Sequence, residues 1–225
     1  MGNCLCNFKI YKNGFTLAEV LITLVIVGVV ASLTISAVIN TYVESSTVAK
    51  VKKGLSILGQ AKKLAEVQNG SIEGWDFGED LTAETAAQFW SYFKPHISVA
   101  KDCGVGEDCY KANGIYLLNG NLYDNDFTVR ENYYKIVMAD GSVMMFTTQG
   151  GKCSNQTHPI PNVCAVFMYD VNGDKKPNIV GKDLFFFLMD ANAVYPHTGN
   201  DCRKTSSGWG CSGYIIKHNN MNYLH

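Results

Sequence analysis

Glu19 is the one ionisable side chain in the 25-residue run from Phe15 to Ile39. A carboxylate at membrane depth costs about 2.5–3.5 kcal/mol on insertion scales, so an acid in such a run needs a partner. A cut ahead of the run, between Gly14 and Phe15, would leave it on the mature chain as an N-terminal helix. A second constellation is rich in oxygen. The segment DVNGDKKPNIVGKD places Asp170, Asn172, Asp174 and Asn178 at positions 1, 3, 5 and 9 of an EF-hand-like loop, the spacing that wraps oxygens around Ca2+. Gly181 stands at the twelfth position in place of an acid, Asp183 comes two residues late, and Gly173 precedes Asp174 instead of following it. Calcium held by Asp170, Asn172, Asp174, Asn178 and Asp183 is one expectation. The other is a tight turn at Asn172-Gly173 whose Asp and Asn side chains accept backbone N–H groups.

Catalytic chemistry has no comparable signal. The five histidines are scattered outside any H-E-x-x-H pattern, and no nucleophile elbow or glycine-rich phosphate loop occurs. A membrane-tethered enzyme is therefore disfavoured. Twenty acidic and nineteen basic residues leave a net charge of −1, so no broad cationic face exists to hold nucleic acid by counterion release.

The elements that would position these groups follow from hydropathy. At about 1.5 Å per residue the Phe15–Ile39 run extends roughly 37 Å as a helix, more than a hydrocarbon core of about 30 Å. Lys9 and Lys12 precede it without an acid, which by the positive-inside rule keeps the N-terminal side cytoplasmic and exports the chain from Thr41 onward. Six cysteines then lie on the oxidising side, and Cys4 and Cys6 on the other. Six cysteines permit fifteen pairings. Their grouping in close couples favours Cys103 with Cys109, Cys153 with Cys164 and Cys202 with Cys211, while zinc is the weaker rival because no couple is C-x-x-C. A secretory cleavage site after the apolar run would fall near Ser36 or Ala37 beside bulky Ile35, a poor match to A-x-A.

Gly14-Phe15-Thr16-Leu17-Ala18-Glu19-Val20-Leu21-Ile22-Thr23-Leu24 resembles the N-terminal signature of type IV pilins and of the pseudopilins of type II secretion systems. The resemblance implies a leader, residues 1–14, removed by a prepilin peptidase, N-methylation of Phe15, and a role for Glu19 in assembly, as the partner of the charged α-amino group that cleavage creates on a neighbouring subunit. It also implies partners: other pilins in a homo-oligomeric or mixed filament, an assembly ATPase and its membrane platform. The precursor would sit in a bacterial inner membrane with its head outside the cytosol, and the filament in the periplasm or at the cell surface. Gly28 matches a glycine common in the family, whereas Ser36 stands where many members have proline. Helix loosening then rests on Gly28 and the hydroxyls of Ser32, Thr34 and Ser36.

Beyond residue 40, Val48, Val51, Leu55, Leu58, Ala61 and Ala65 recur at helical spacing, with Lys50, Lys52, Lys53, Lys62 and Lys63 mostly elsewhere. This predicts one helix from about Thr16 to Gln68, its first half (15–40) in lipid and its second half (41–69) against an exported head spanning 41–225. Asp80-Leu81-Thr82 signals the start of a second helix that buries Ala86, Phe89, Trp90 and Phe93 and closes at Lys94-Pro95. Strands are expected at 115–118, 121–123, 133–138, 142–148, 164–169, 184–188 and 213–217. The expected class is α+β, a pilin-like fold with a long N-terminal helix packed on an antiparallel sheet and disulfide-stapled loops. A rival of another kind is an uncleaved, membrane-anchored extracytoplasmic module that binds calcium or another ligand.

Overall fold

A computed structural model describes residues 14–78, 82–106, 109–110, 114–123, 130, 132–150, 153–199 and 202–225, with Ser36 and Ala37 described by their backbone alone. Helix α1 runs Leu17–Asn69. It stops at Gly70, whose N–H still reaches the Glu66 carbonyl at 2.9 Å while its φ of +79° turns the chain out of the helix. The chain forms two compact units divided after Val43. In the first, the side chains of Leu17, Leu21, Leu24, Val25, Val29 and Leu33 are exposed, and the hydroxyls of Thr23, Ser32 and Thr34 bond carbonyls of the preceding turn. That bonding leaves none of those three side-chain donors unsatisfied within the apolar segment.

The second unit is built on a six-stranded antiparallel sheet in sequential order. Its strands are β1 (Val99–Gly104), β2 (Tyr134–Met138), β3 (Val143–Thr148), β4 (Ala165–Asp170), β5 (Leu184–Met189) and β6 (Val194–Pro196). Phe146 lies opposite both Tyr134 and Phe167, and Phe167 opposite Phe187, so the central strands stack aromatic side chains on one face. That face is covered by residues 44–69 of α1 and by α2 (Ala83–Phe93), whose Phe89, Trp90 and Phe93 are buried. Thr82 caps α2 through a reciprocal pair of bonds with Thr85. The other face, with Val143, Met145, Met168, Phe186 and Leu188, is covered by Ile115, Val163 and Trp209 from loops. Burial on both faces explains why β4 and β5 read AVFMYD and LFFFLM, without polar alternation. Gly54 brings α1 close to the sheet: a Cβ there would stand 2.9 Å from the Tyr169 ring.

Several expectations are corrected. Residues 213–217 are not a strand; they lie in α3 (Cys211–His218), closed by left-handed Asn219. A short apolar run with β-branched residues fits either state, and here Cys211, Ser212 and Ile215 turn one helical face into the core. Residues 115–118 and 121–123 form a hairpin held by one bridge, Tyr116 to Leu122, outside the sheet. β1 and β6 carry no strand-like alternation, being exposed or half-buried edges. Lys62, expected on the polar face, is 2% exposed. Its ammonium meets Glu66 at 2.6 Å and the Ala191 carbonyl at 2.8 Å, so a buried charge is paired and bonded. Asp80, Leu81, Cys4, Cys6, Lys9 and Lys12 lie outside the described residues.

Candidate functional site

The first candidate site is the beginning of α1. Gly14 and Phe15 precede the helix in non-helical, exposed chain, the form a peptidase needs to bind a peptide bond. Thr16 and Glu19 then form a capping box. The Thr16 N–H and hydroxyl both donate to Glu19 Oε2, at 2.9 and 2.8 Å, and the Glu19 N–H donates to Thr16 Oγ1 at 3.2 Å. Helix starts leave backbone donors without partners, and these bonds satisfy two of them. Sequence reasoning passed over Thr16, although the T-x-x-E spacing marks such a cap. Because both bonds land on Oε2, Oε1 keeps its acceptor capacity.

The second candidate site joins the end of β4 to the start of β5. Asp170 and Asp183 are 0% and 4% exposed. Tyr110 donates its hydroxyl to Asp170 Oδ2 at 2.5 Å and, more weakly, to Asn178 Oδ1 at 3.3 Å. The backbone N–H of Asn172 meets Asp170 Oδ1 at 3.0 Å. Asp183 accepts the N–H groups of Asn178 and Ile179 at 2.8 and 2.6 Å and the Asn172 amide at 3.3 Å. Burial first, then the neighbouring Asp183 charge, pushes the Asp170 carboxyl well above the usual range; burial also raises Asp183, against the N–H groups that favour its charged form. Burial and Asp170 together raise the Tyr110 hydroxyl. Asn172 Oδ1 is buried without a hydrogen-bond partner. Only glycine fits at 173, where φ is +71° and a Cβ would lie 2.6 Å from the Gly141 carbonyl oxygen.

The five loop residues therefore divide. Asp170, Asn172 and Asp183 converge through shared bonds, Asn178 touches them through Tyr110 and its own N–H, and Asp174 is exposed. One loop thus gathers two buried carboxylates, each oxygen accepting an O–H or N–H donor, and an amide oxygen without a hydrogen-bond partner. Among the described residues no group of three or more His, Cys, Asp or Glu side chains is placed to hold a metal.

The cysteines of the head are bonded as Cys103–Cys109, Cys153–Cys164 and Cys202–Cys211. The first precedes Tyr110, and the last sets the start of α3 against Gly181, so two of the staples flank the oxygen-lined loop. Trp209 stacks on Phe186 of β5 with ring centroids 4.1 Å apart, a packing role.

No curated protein and no solved structure matches the chain. A family model described as the prokaryotic N-terminal methylation motif matches residues 10–35. This segment enters the one described helix that is long and apolar enough to cross a membrane. The chain thus carries, at the head of a membrane-length helix, the methylation signature of type IV pilins and pseudopilins.

Proposed function

We propose that the chain is a structural subunit of a filament of the type IV pilus or type II secretion pseudopilus kind. The observation that carries this reading is the matched motif at residues 10–35 followed directly by a helix with exposed apolar side chains. A prepilin peptidase cuts after Gly14, Phe15 becomes the N-methylated first residue, and an assembly ATPase acting through a membrane platform moves subunits from the inner membrane into a filament with other pilins. Lipid gives apolar helices little reason to associate, so the register comes from the polar group. The new ammonium of one subunit meets Glu19 Oε1 of the next, and the Thr16 cap on Oε2 stays in place. The subunit itself performs no covalent chemistry.

N-terminal mass mapping of the membrane-extracted protein tests this. A mature chain beginning at N-methyl-Phe15 is expected. A retained leader, or a start near Val38, would sink the reading.

A second reading concerns the head, and the buried Asp170–Asp183 pair favours it: the loop holds Ca2+ through Asp170, Asn172 and Asp183, with Asn178 and Asp174 beside them. Bound calcium would neutralise two carboxylates that burial otherwise penalises. It serves equally a filament subunit or an uncleaved anchored module. For the detergent-solubilised full chain, calcium at about 100 times its Kd should add roughly 2.7 kcal/mol to stability, and Asp170→Asn should abolish that response. If a chelator leaves the melting temperature of the wild-type protein unchanged, the loop is a turn and no more.

A further inference from the structure

Among the described residues, a lysine-bearing loop and a carboxylate-lined cavity lie at opposite ends of the sheet's central strands. Lys50 Nζ bonds the Val171 carbonyl at 2.7 Å, tying the β4–β5 loop to the first turns of the head's helix. Lys62 bonds the Ala191 carbonyl, tying the turn after β5 to the helix twelve residues later, about 18 Å along the axis. At the first end, Asp174, Lys175, Lys176 and Pro177 form an exposed tip with exposed Lys182 beside it. Asp170 and Asp183 are buried beneath, so the surface of this loop presents three cations and one anion.

At the other end lies a cavity of about 490 Å³ lined by the carboxylates of Glu73 and Asp190, the amides of Gln156, Asn162 and Asn192, and Ser154. Asp190 Oδ1 accepts the N–H groups of Asn192 and Ala193, Oδ2 accepts the Asn192 amide at 3.4 Å, and the carboxylate also accepts the Tyr195 hydroxyl, so it contributes its charge more than a free oxygen. No cationic side chain lines the cavity among the described residues. Lys62, which reaches Ala191 there, is ion-paired with Glu66. Among the described residues the charged lining is therefore two carboxylates, a complement for a cation with several N–H donors.

We propose that heads of successive subunits dock end to end, with the lysine-bearing tip at Lys175, Lys176 and Lys182 of one copy seated on the Glu73–Asp190 cavity of the next. The two surfaces sit on opposite ends of the same head, so the contact is heterologous and does not close on itself. Repetition then builds an open filament and no dimer. This inference rests on the filament reading and adds to it a contact outside the membrane helix, one that selects copies of this chain by charge.

Charge reversal tests it in the intact chain. Lys176→Glu alone and Glu73→Lys alone should each lower the yield of sheared filaments about tenfold, because a reversed charge faces a like charge. The two substitutions in one chain should restore it. Undiminished filaments from both single variants, or a double variant that stays as poor as the singles, would overturn the proposal. A cross-link guards against misfolded variants: with Glu73→Cys and Lys176→Cys in one chain, oxidised filaments should run as a ladder of covalent multimers under denaturing conditions. Filaments without a ladder overturn the contact. If the wild-type chain forms no filaments at all, the filament reading itself fails, a result distinct from either of these.

Discussion

Glu19→Val should leave cleavage at Gly14–Phe15 intact and abolish filaments. In the proposed processing the bond to be cut lies in exposed chain ahead of α1, and valine only adds apolar surface to an apolar run, so targeting and cleavage should continue. Assembly loses its counter-charge. Each incoming ammonium would then sit in hydrocarbon unpaired, at a cost of about 2.5–3.5 kcal/mol per subunit on insertion scales. At 1.4 kcal/mol per decade this weakens addition roughly a hundredfold. The lost cap contributes a smaller part, about 1 kcal/mol. Glu19→Gln separates the two effects, since an amide oxygen still accepts from Thr16 but carries no charge. It should fail to assemble nearly as completely. Quantifying sheared filaments by blot against total processed subunit decides the matter, and wild-type amounts in Glu19→Val would refute the pairing.

Phe89→Ala is expected to destabilise the head by about 3–5 kcal/mol, the usual cost of emptying a core aromatic site. Phe89 is fully buried and its ring lies 4.9–6.3 Å, centroid to centroid, from those of Trp75, Phe77, Phe93, Phe146 and Phe167. It is thus the point where α2, the segment after α1 and strands β3 and β4 meet, and neighbours drawn from four separate elements collapse poorly into the void. Against a total stability of about 5–15 kcal/mol for a domain, such a loss is severe. Denaturant unfolding under non-reducing conditions, which keeps the three disulfides, measures it. A change below about 1 kcal/mol would mean that α2 does not hold the sheet closed.

Asp102 shows how tertiary contacts set a charge state that the chain pattern does not announce. Burial alone would raise its carboxyl, yet hydrogen bonds from Tyr134 and Trp90 and the Lys94 ammonium outweigh it and hold the value at about 2. A depressed carboxylate stabilises the fold above its ordinary range and loses that contribution as pH falls toward 2. The four residues tie the end of α2 to strands β1 and β2.

Much of the molecule was legible because it depends on local terms. An apolar run long enough to cross a bilayer is recognised by length and composition, whatever it later touches, and the Gly14–Glu19 pattern is contiguous. Thr82 before α2, the 3–4 spacing of Phe89, Trp90 and Phe93, and the turn at Gly141 between β2 and β3 also act within a few residues of themselves. The strands β2 to β5 announced themselves through dense apolar and aromatic content. What sequence alone determined is therefore the membrane-length helix, its methylation motif and the central sheet. Only the tertiary structure decided that Gly213–Lys217 is helical, that β1 and β6 are strands, that Lys62 is buried, and that Asp170 and Asp183 share one dry loop. Each of those outcomes is set by partners distant in the chain, such as Ala191 for Lys62 and Tyr110 for Asp170, and a local pattern carries no record of what will be packed against it.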